Sequence, residues 1–203
     1  KVAVTTTTRI FRPEEGCVFL LDERETDGEG YERLERLCQK AESEKEFFTA
    51  GVLVKSEKGR DKMSALPDRF LERLKQWTDI LLTEADGSKR LPLKVPAPWE
   101  PVIPPDASLV VGCAGLASLG KPWREVCFRS QYGKHFFTGE LVTGEEIADI
   151  LTDSRGTKKS VGEREYAVLL NQADSETERR EGEKILKMTE GKWSKGICTC
   201  FKI

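Results

Sequence analysis

The chain has 203 residues, of which 38% are hydrophobic and 33% charged, and its net charge is −2. That size suits one globular domain, or one domain with an appendage, with a real core. The charge balance argues against a nucleic-acid partner held by bulk positive charge. The longest apolar stretch, around Leu109 to Leu119, is interrupted by Gly112 and Gly115 and falls short of the about 20 apolar residues a membrane span needs.

In chain order, Lys1 to Val4 reads as a strand running into Thr5 to Thr8. The start at Lys1, already inside a strand-like run, reads as a domain missing its native beginning. Val18 to Leu21 is a second apolar run. Residues 29 to 43 carry Leu34, Leu37 and Ala41 at helical spacing, with Thr26 and Glu29 placed as a capping box. Phe47 to Val54 reads as a strand, and Pro67 suits the first turn of a helix reaching Trp77.

Asp79 to Thr83 and Leu109 to Val111 are continuously apolar, the pattern of strands buried on both faces. Gly112-Cys113-Ala114-Gly115 allows a tight strand-to-helix turn. Thr143 and Glu146 form a second capping box, for a helix over 145–151. The polar stretch 152–164 reads as a loop, Tyr166 to Leu170 as a strand, and Ser175 with Glu178 opens a last helix to about Thr189. Alternating apolar strands and helices predict a three-layer α/β fold with a mostly parallel sheet, and ligands at the carboxyl ends of its strands.

The polar signals sit at those ends. Glu84 and Asp86 close one strand and are two apart, so in extended backbone they project to one side; two adjacent carboxylates suit Mg²⁺ with waters and phosphate. Asp86-Gly87 equally suits a hairpin turn. Lys89 and Arg90 follow as candidate phosphate-binding cations, or as an ordinary solvated turn. Thr6, Thr7 and Thr8 offer hydroxyls to phosphate or metal, though threonine is also a common strand residue.

Asn171-Gln172-Ala173-Asp174 follows an apolar strand and has the form N-[K/Q]-x-D. The Asp174 carboxylate can accept from both N1–H and the 2-amino group of guanine, with Asn171 at the base edge; adenine offers no such pair of donors. The alternative is that Asn171 and Asp174 cap the next helix. The six cysteines include no C-x-x-C pair and there is one histidine, His135, so no zinc frame is visible and reduced thiols are expected. Cys198 and Cys200 share one face of a terminal strand, as small hydrophobes or as a redox pair.

TTTTRIFRP at 5–13, TEADGSKRLPLKVPAPWEPVIPP at 83–105, LVVGCAGLASLGKP at 109–122 and LLNQAD at 169–174 together resemble the YqeC family, accessory proteins of selenium-dependent molybdenum hydroxylases. The resemblance covers the chain in order. It implies a P-loop NTPase-like domain over 1–203, incomplete at its N-terminus because a G-x-x-x-x-G-K-[ST] loop would lie before Lys1, with a proline-rich insertion at 88–107. It also implies that Glu84 and Asp86 fall among acidic metal-site residues and that Asn171 and Asp174 fall in a family NQAD segment. The chain departs from the family at Phe128-Arg129, where His often precedes Arg, so no role carries over for that His, and Arg129 stays a candidate site residue.

The expected function is a cytoplasmic Mg²⁺- and nucleoside triphosphate-dependent step, GTP favoured, in making or inserting a selenium-containing molybdenum cofactor. The implied partner is the hydroxylase or its cofactor, with no nucleic acid and no membrane. The alternative is a non-catalytic carrier or adaptor, with the proline segment as a rigid docking edge.

Overall fold

The computed structural model describes residues 1–22, 24–56 and 59–200, and the chain divides into two compact units, Lys1–Gly87 and Ser88–Ile203. In the first unit, β1 (Val2–Thr6), β3 (Cys17–Leu21), β4 (Phe48–Val54) and β6 (Ile80–Glu84) run parallel in the order β3-β4-β1-β6. Beyond Gly51, β4 turns to pair antiparallel with β5 (Lys62–Ser64), and β5 pairs antiparallel with β2 (Ile10–Phe11). The helices α1 (Asp27–Glu44) and α2 (Asp68–Trp77) bury Leu34, Cys38, Ala41, Phe70 and Leu74 with Ala3, Phe19, Leu21, Phe48 and Ala50. Those strand residues share one face by register, so both helices cover the same side.

In the second unit, β8 (Leu109–Gly115), β10 (Glu165–Asn171) and β11 (Lys195–Cys198) form a parallel sheet in the order β11-β10-β8. Between β8 and β10 come α3 (Trp123–Val126) and α4 (Gly144–Thr152), and between β10 and β11 comes α5 (Glu176–Met188). Ile147, Ile150 and Leu151 of α4 and Ile185 of α5 pack with Ala114, Tyr166, Val168 and Leu170. A separate two-stranded ribbon pairs β7 (Leu93–Lys94) with β9 (Cys127–Phe128) in parallel.

This corrects the expected fold. The strands do not make one mostly parallel sheet between two helical layers, and the molecule is not P-loop NTPase-like. The larger sheet is mixed, carrying antiparallel β2 and β5, and the remaining strands fall into two further small sheets. The physical reason shows in the two strands read as doubly buried. β6 is an edge strand with Ile80 and Leu82 each 54% exposed, and β8 is an edge strand with Leu109 46% and Val111 47% exposed. A continuous apolar run reads the same whether one face or both are covered.

Local signals were more reliable. Thr26/Glu29, Thr143/Glu146 and Ser175/Glu178 all form complete capping boxes on α1, α4 and α5. Gly112 to Gly115, expected as a turn, instead continues β8 and leads into a short 3₁₀ turn.

The proline-rich segment is fastened largely by side chains. Prolines lack N–H groups and cannot donate to a ladder, so outside β7 the segment is held mainly by donors to its carbonyls. Gly115 N donates to Pro92 O at 2.7 Å, Lys159 Nζ donates to Ala97 O and Pro98 O at 2.5 and 2.9 Å, and Arg164 Nη2 donates to Pro105 O at 2.9 Å. At its centre, Glu100 Oε2 accepts from Ala97 N at 3.1 Å and meets Lys94 Nζ at 2.9 Å and Arg129 Nη1 at 2.6 Å. Burial raises the Glu100 pKa, but the Lys94 hydrogen bond, the Ala97 N–H and the two positive charges outweigh it, so the net shift is downward.

Glu100→Ala leaves Lys94 and Arg129 without their shared carboxylate and is expected to cost about 3 kcal/mol in urea denaturation. Because the folded pKa of Glu100 is depressed, its stabilisation is complete above the ordinary carboxylate range near pH 4.3 and is lost as pH falls through the lower folded value. Glu100→Gln should therefore flatten the acid limb of the stability–pH curve relative to the wild type.

Candidate functional site

The sequence-predicted residues form four groups on two units: Thr6 to Thr8 and Glu84 with Asp86 at the ends of β1 and β6, Lys89 with Arg90 ahead of β7, and Asn171 with Asp174 at the end of β10. In the first unit, parallel pairing sets Thr6 opposite Glu84, so the ends of β1 and β6 are neighbours. Thr6 Oγ1 and Thr7 Oγ1 donate to Glu84 O at 3.0 and 3.4 Å, as does Thr7 N at 3.0 Å. Thr8 N donates to Thr6 Oγ1 at 3.0 Å, and the hydroxyls of Thr6 and Thr8 lie 3.2 Å apart. A hydroxyl has one proton to give. The Thr6 and Thr7 protons go to Glu84 O, so these threonines brace the turn that carries Glu84.

Glu84 is exposed and Asp86 half-buried, and Glu84 Oε1 folds back against Gly87. Mg²⁺ commonly takes one or two carboxylates and keeps several waters. Among the described residues, a group of three potential ligands within 4.8 Å of one another occurs elsewhere, at Cys17, Glu44 and Glu46. There the Cys17 thiol contacts Glu44 Oε2 at 3.7 Å and Glu46 Oε2 at 3.5 Å; burial and then the Glu46 hydrogen bond push its pKa up, which keeps it a protonated donor.

Lys89 and Arg90 open the second unit, both exposed and both with left-handed backbone, φ 51° and 66°. Lys89 Nζ lies 5.0 Å from the centre of the Phe128 ring. The turn residues were legible as cations; their association with Phe128 was not.

Asn171 ends β10, and the next three residues cross the carboxyl end of its sheet. Ala173 N donates to Thr199 O at 3.0 Å, Thr199 N donates to Leu170 O at 2.8 Å, and Gln172 has φ 60°. The capping alternative for Asp174 fails, because Ser175 is the N-cap of α5 and Glu178 closes the box. Asp174 Oδ1, Gln172 Oε1 and Thr199 Oγ1 are buried atoms with no hydrogen-bond partner among the described residues. Buried acceptors are rarely left without donors, and such atoms near a strand end are candidate ligand contacts. Gln172 and Thr199 were missed from the sequence; Gln172 was within the recognised motif, whereas Thr199 reaches it only through β11.

A cleft of about 600 Å³ begins at the next residue, lined by Leu116, Leu119, Thr143, Ser175, Glu178 and Glu181. Asp174 itself does not line it. Its volume is in the range of small-molecule sites, and its glutamates favour donor-rich groups over phosphate.

Residues 1–131 match the model of the YqeC protein family, covering the first unit and the second as far as Gln131. The chain belongs to the YqeC family. No curated protein and no solved structure matches it. Within this YqeC protein the family match includes the threonine run, Glu84 to Arg90 and the whole proline segment, while Asn171 to Asp174 lie outside it. No described helix is long and apolar enough to cross a membrane.

The loop after β10 leans on Gly115. A Cβ there would collide with Gln172 Oε1 and sit 2.7 Å from Pro92 Cβ and 3.1 Å from Asn171 Oδ1. Gly115→Ala is expected to displace Gln172 and to cost about 1–3 kcal/mol, read as a lowered urea midpoint with an unchanged m-value.

Proposed function

We propose that this YqeC protein serves in the maturation of selenium-dependent molybdenum hydroxylases, through a Mg²⁺- and guanine-nucleotide-dependent step in making or inserting the selenium-containing cofactor. Membership of the family supports the maturation role. The observation that carries the nucleotide is the pair of buried acceptors without donors, Gln172 Oε1 and Asp174 Oδ1, beyond the end of β10.

Guanine fits that chemistry. Its N1–H and 2-amino group are adjacent donors, which a carboxylate such as Asp174 can accept together, with Asn171 beside it. An adenine base would present an acceptor where Asp174 needs a donor, leaving both unpaired. Lys89 and Arg90 are assigned to phosphate oxygens, and Glu84 with Asp86 to the divalent cation. Bound there, Mg²⁺ would supply a fixed positive charge on the first unit. Thr6 and Thr7 hold the Glu84 turn in place through its carbonyl, and Thr8 holds Thr6. The cations and carboxylates position charge; no residue of the chain is assigned as a nucleophile.

Calorimetry on the full chain should give GTP at least roughly tenfold tighter than ATP, and Asp174→Asn should move the preference toward xanthosine triphosphate. Equal affinities for GTP and ATP would sink guanine recognition. Asp86→Ala should remove the difference between titrations with and without Mg²⁺; if that difference persists, Asp86 belongs only to the turn.

A further inference from the structure

We propose that Cys17, Glu44 and Glu46 form a binding site for a thiophilic divalent cation of the Zn²⁺ class. Such a site requires neither guanine recognition at Asp174 nor Mg²⁺ at Glu84 and Asp86.

The first unit brings the three residues together where its strands begin. Cys17 is the first residue of β3, and parallel register sets it opposite Phe48, the first residue of β4. Glu44 is the last residue of α1, the helix that leads into β4. Lys45 then takes left-handed backbone, φ 56°, and Glu46 N donates to Ala41 O at 3.0 Å, which folds Glu46 back against the helix end. The Cys17 sulfur and one carboxylate oxygen from each glutamate all lie within 4.8 Å of one another.

The spacing is that of a coordination shell. Cys17 Sγ lies 3.7 Å from Glu44 Oε2 and 3.5 Å from Glu46 Oε2. Around a tetrahedral Zn²⁺, with Zn–S about 2.3 Å and Zn–O about 2.0–2.2 Å, a sulfur and an oxygen ligand stand about 3.6 Å apart. A thiol has one proton, so an S–H···O bond accounts for only one of the two contacts. The other carboxylate meets the sulfur with no proton between them.

The end of α1 adds a separate demand for positive charge. A helix carboxyl end is electronegative and favours cations, yet α1 finishes on Glu42 and Glu44 with no basic residue in its last turn. Glu42 is answered by Lys1 Nζ at 3.1 Å. Glu44 has Lys40 at a long 3.8 Å, and Glu46 has no cationic partner among the described residues. Lys45, exposed at the C-cap, makes no ion pair with either. A divalent cation at the sulfur would serve both carboxylates and the helix end together.

The donor set selects the metal. Mg²⁺ and Ca²⁺ take oxygen ligands, whereas a thiolate beside carboxylates suits Zn²⁺ and its neighbours. On binding, the Cys17 S–H bond breaks, its proton leaves to water, and the sulfur electron pair forms the metal bond. Cys17 is 6% exposed and both glutamates are exposed, so the cation enters from the carboxylate side. Three protein ligands leave the fourth tetrahedral position to water or an outside ligand.

The full reduced chain would be titrated with Co²⁺, an optical stand-in for Zn²⁺, following thiolate-to-cobalt charge-transfer absorption in the near ultraviolet. The band should saturate, Zn²⁺ should displace it, and excess Mg²⁺ should leave it in place. Cys17→Ser should abolish the band, and Glu46→Gln should weaken Co²⁺ binding roughly tenfold. Glu46 is exposed, so circular dichroism of Glu46→Gln should stay that of the wild type, and this variant decides the matter if Cys17→Ser folds poorly. Cys200→Ser and Asp86→Ala should keep the band, which separates this site from the other thiols and from the Mg²⁺ assignment. Absence of the band, displacement by Mg²⁺ but not Zn²⁺, survival of the band in Cys17→Ser, indifference to Glu46→Gln, or loss of the band in either control variant would overturn the proposal.

Discussion

One carboxylate oxygen organises the second unit. Glu100 Oε2 is where β7, through Lys94, the residue after β9, Arg129, and the turn at Ala97 all meet. Two cations and a carboxylate withdrawn from water stabilise a fold only when they satisfy one another closely, so displacing any one strands the others. That requirement fixes the path of a segment whose prolines cannot hold it through a ladder. Lys159 and Arg164 complete the fastening by donating to its carbonyls. The same anchoring holds the Arg129 guanidinium 5.3 Å from the Trp99 ring centre and 5.1 Å from that of Phe128.

In each unit the functional candidates gather where parallel strands end. This follows from parallel pairing, which brings the carboxyl ends of neighbouring strands to one edge and leaves their last backbone groups without ladder partners. The first unit covers that need with threonine hydroxyls around Glu84 O. The second crosses the edge with Gln172 in left-handed backbone and retains buried acceptors at Gln172 and Asp174. The two edges therefore offer different chemistry, carboxylates on the first and unmatched acceptors on the second.

Helix starts were legible because a capping box is a local arrangement: Thr143 and Glu146 need only each other's side chain and backbone N–H. The existence of β1, β3, β4, β6, β8 and β10 was legible from their apolar runs, whereas β2, β5, β7 and β9, two or three residues each, carry no run long enough to read. Strand environment was not legible. Ile80-Leu81-Leu82 looks central by hydrophobicity, yet it forms an edge, since the face it shows to water is decided by where helices land. Nor does any local pattern announce that β4 bends from parallel to antiparallel pairing after Gly51. The candidate residues at 84–90 and 171–174 were visible because they follow apolar runs. Glu100 and its pairing with Arg129 were not, because that contact joins segments far apart in sequence.

The fastening of the proline segment also has a consequence for synthesis. Lys159 comes 62 residues after Ala97, and Arg164 comes 59 after Pro105. A chain made from its amino end therefore presents residues 92–105, with Trp99 among them, well before the donors that hold their carbonyls exist. Until then Glu100 has Lys94 alone, and later Arg129. Nascent chains halted before Lys159 should carry this segment open to proteases and chaperones, and its closure marks a late event on the ribosome.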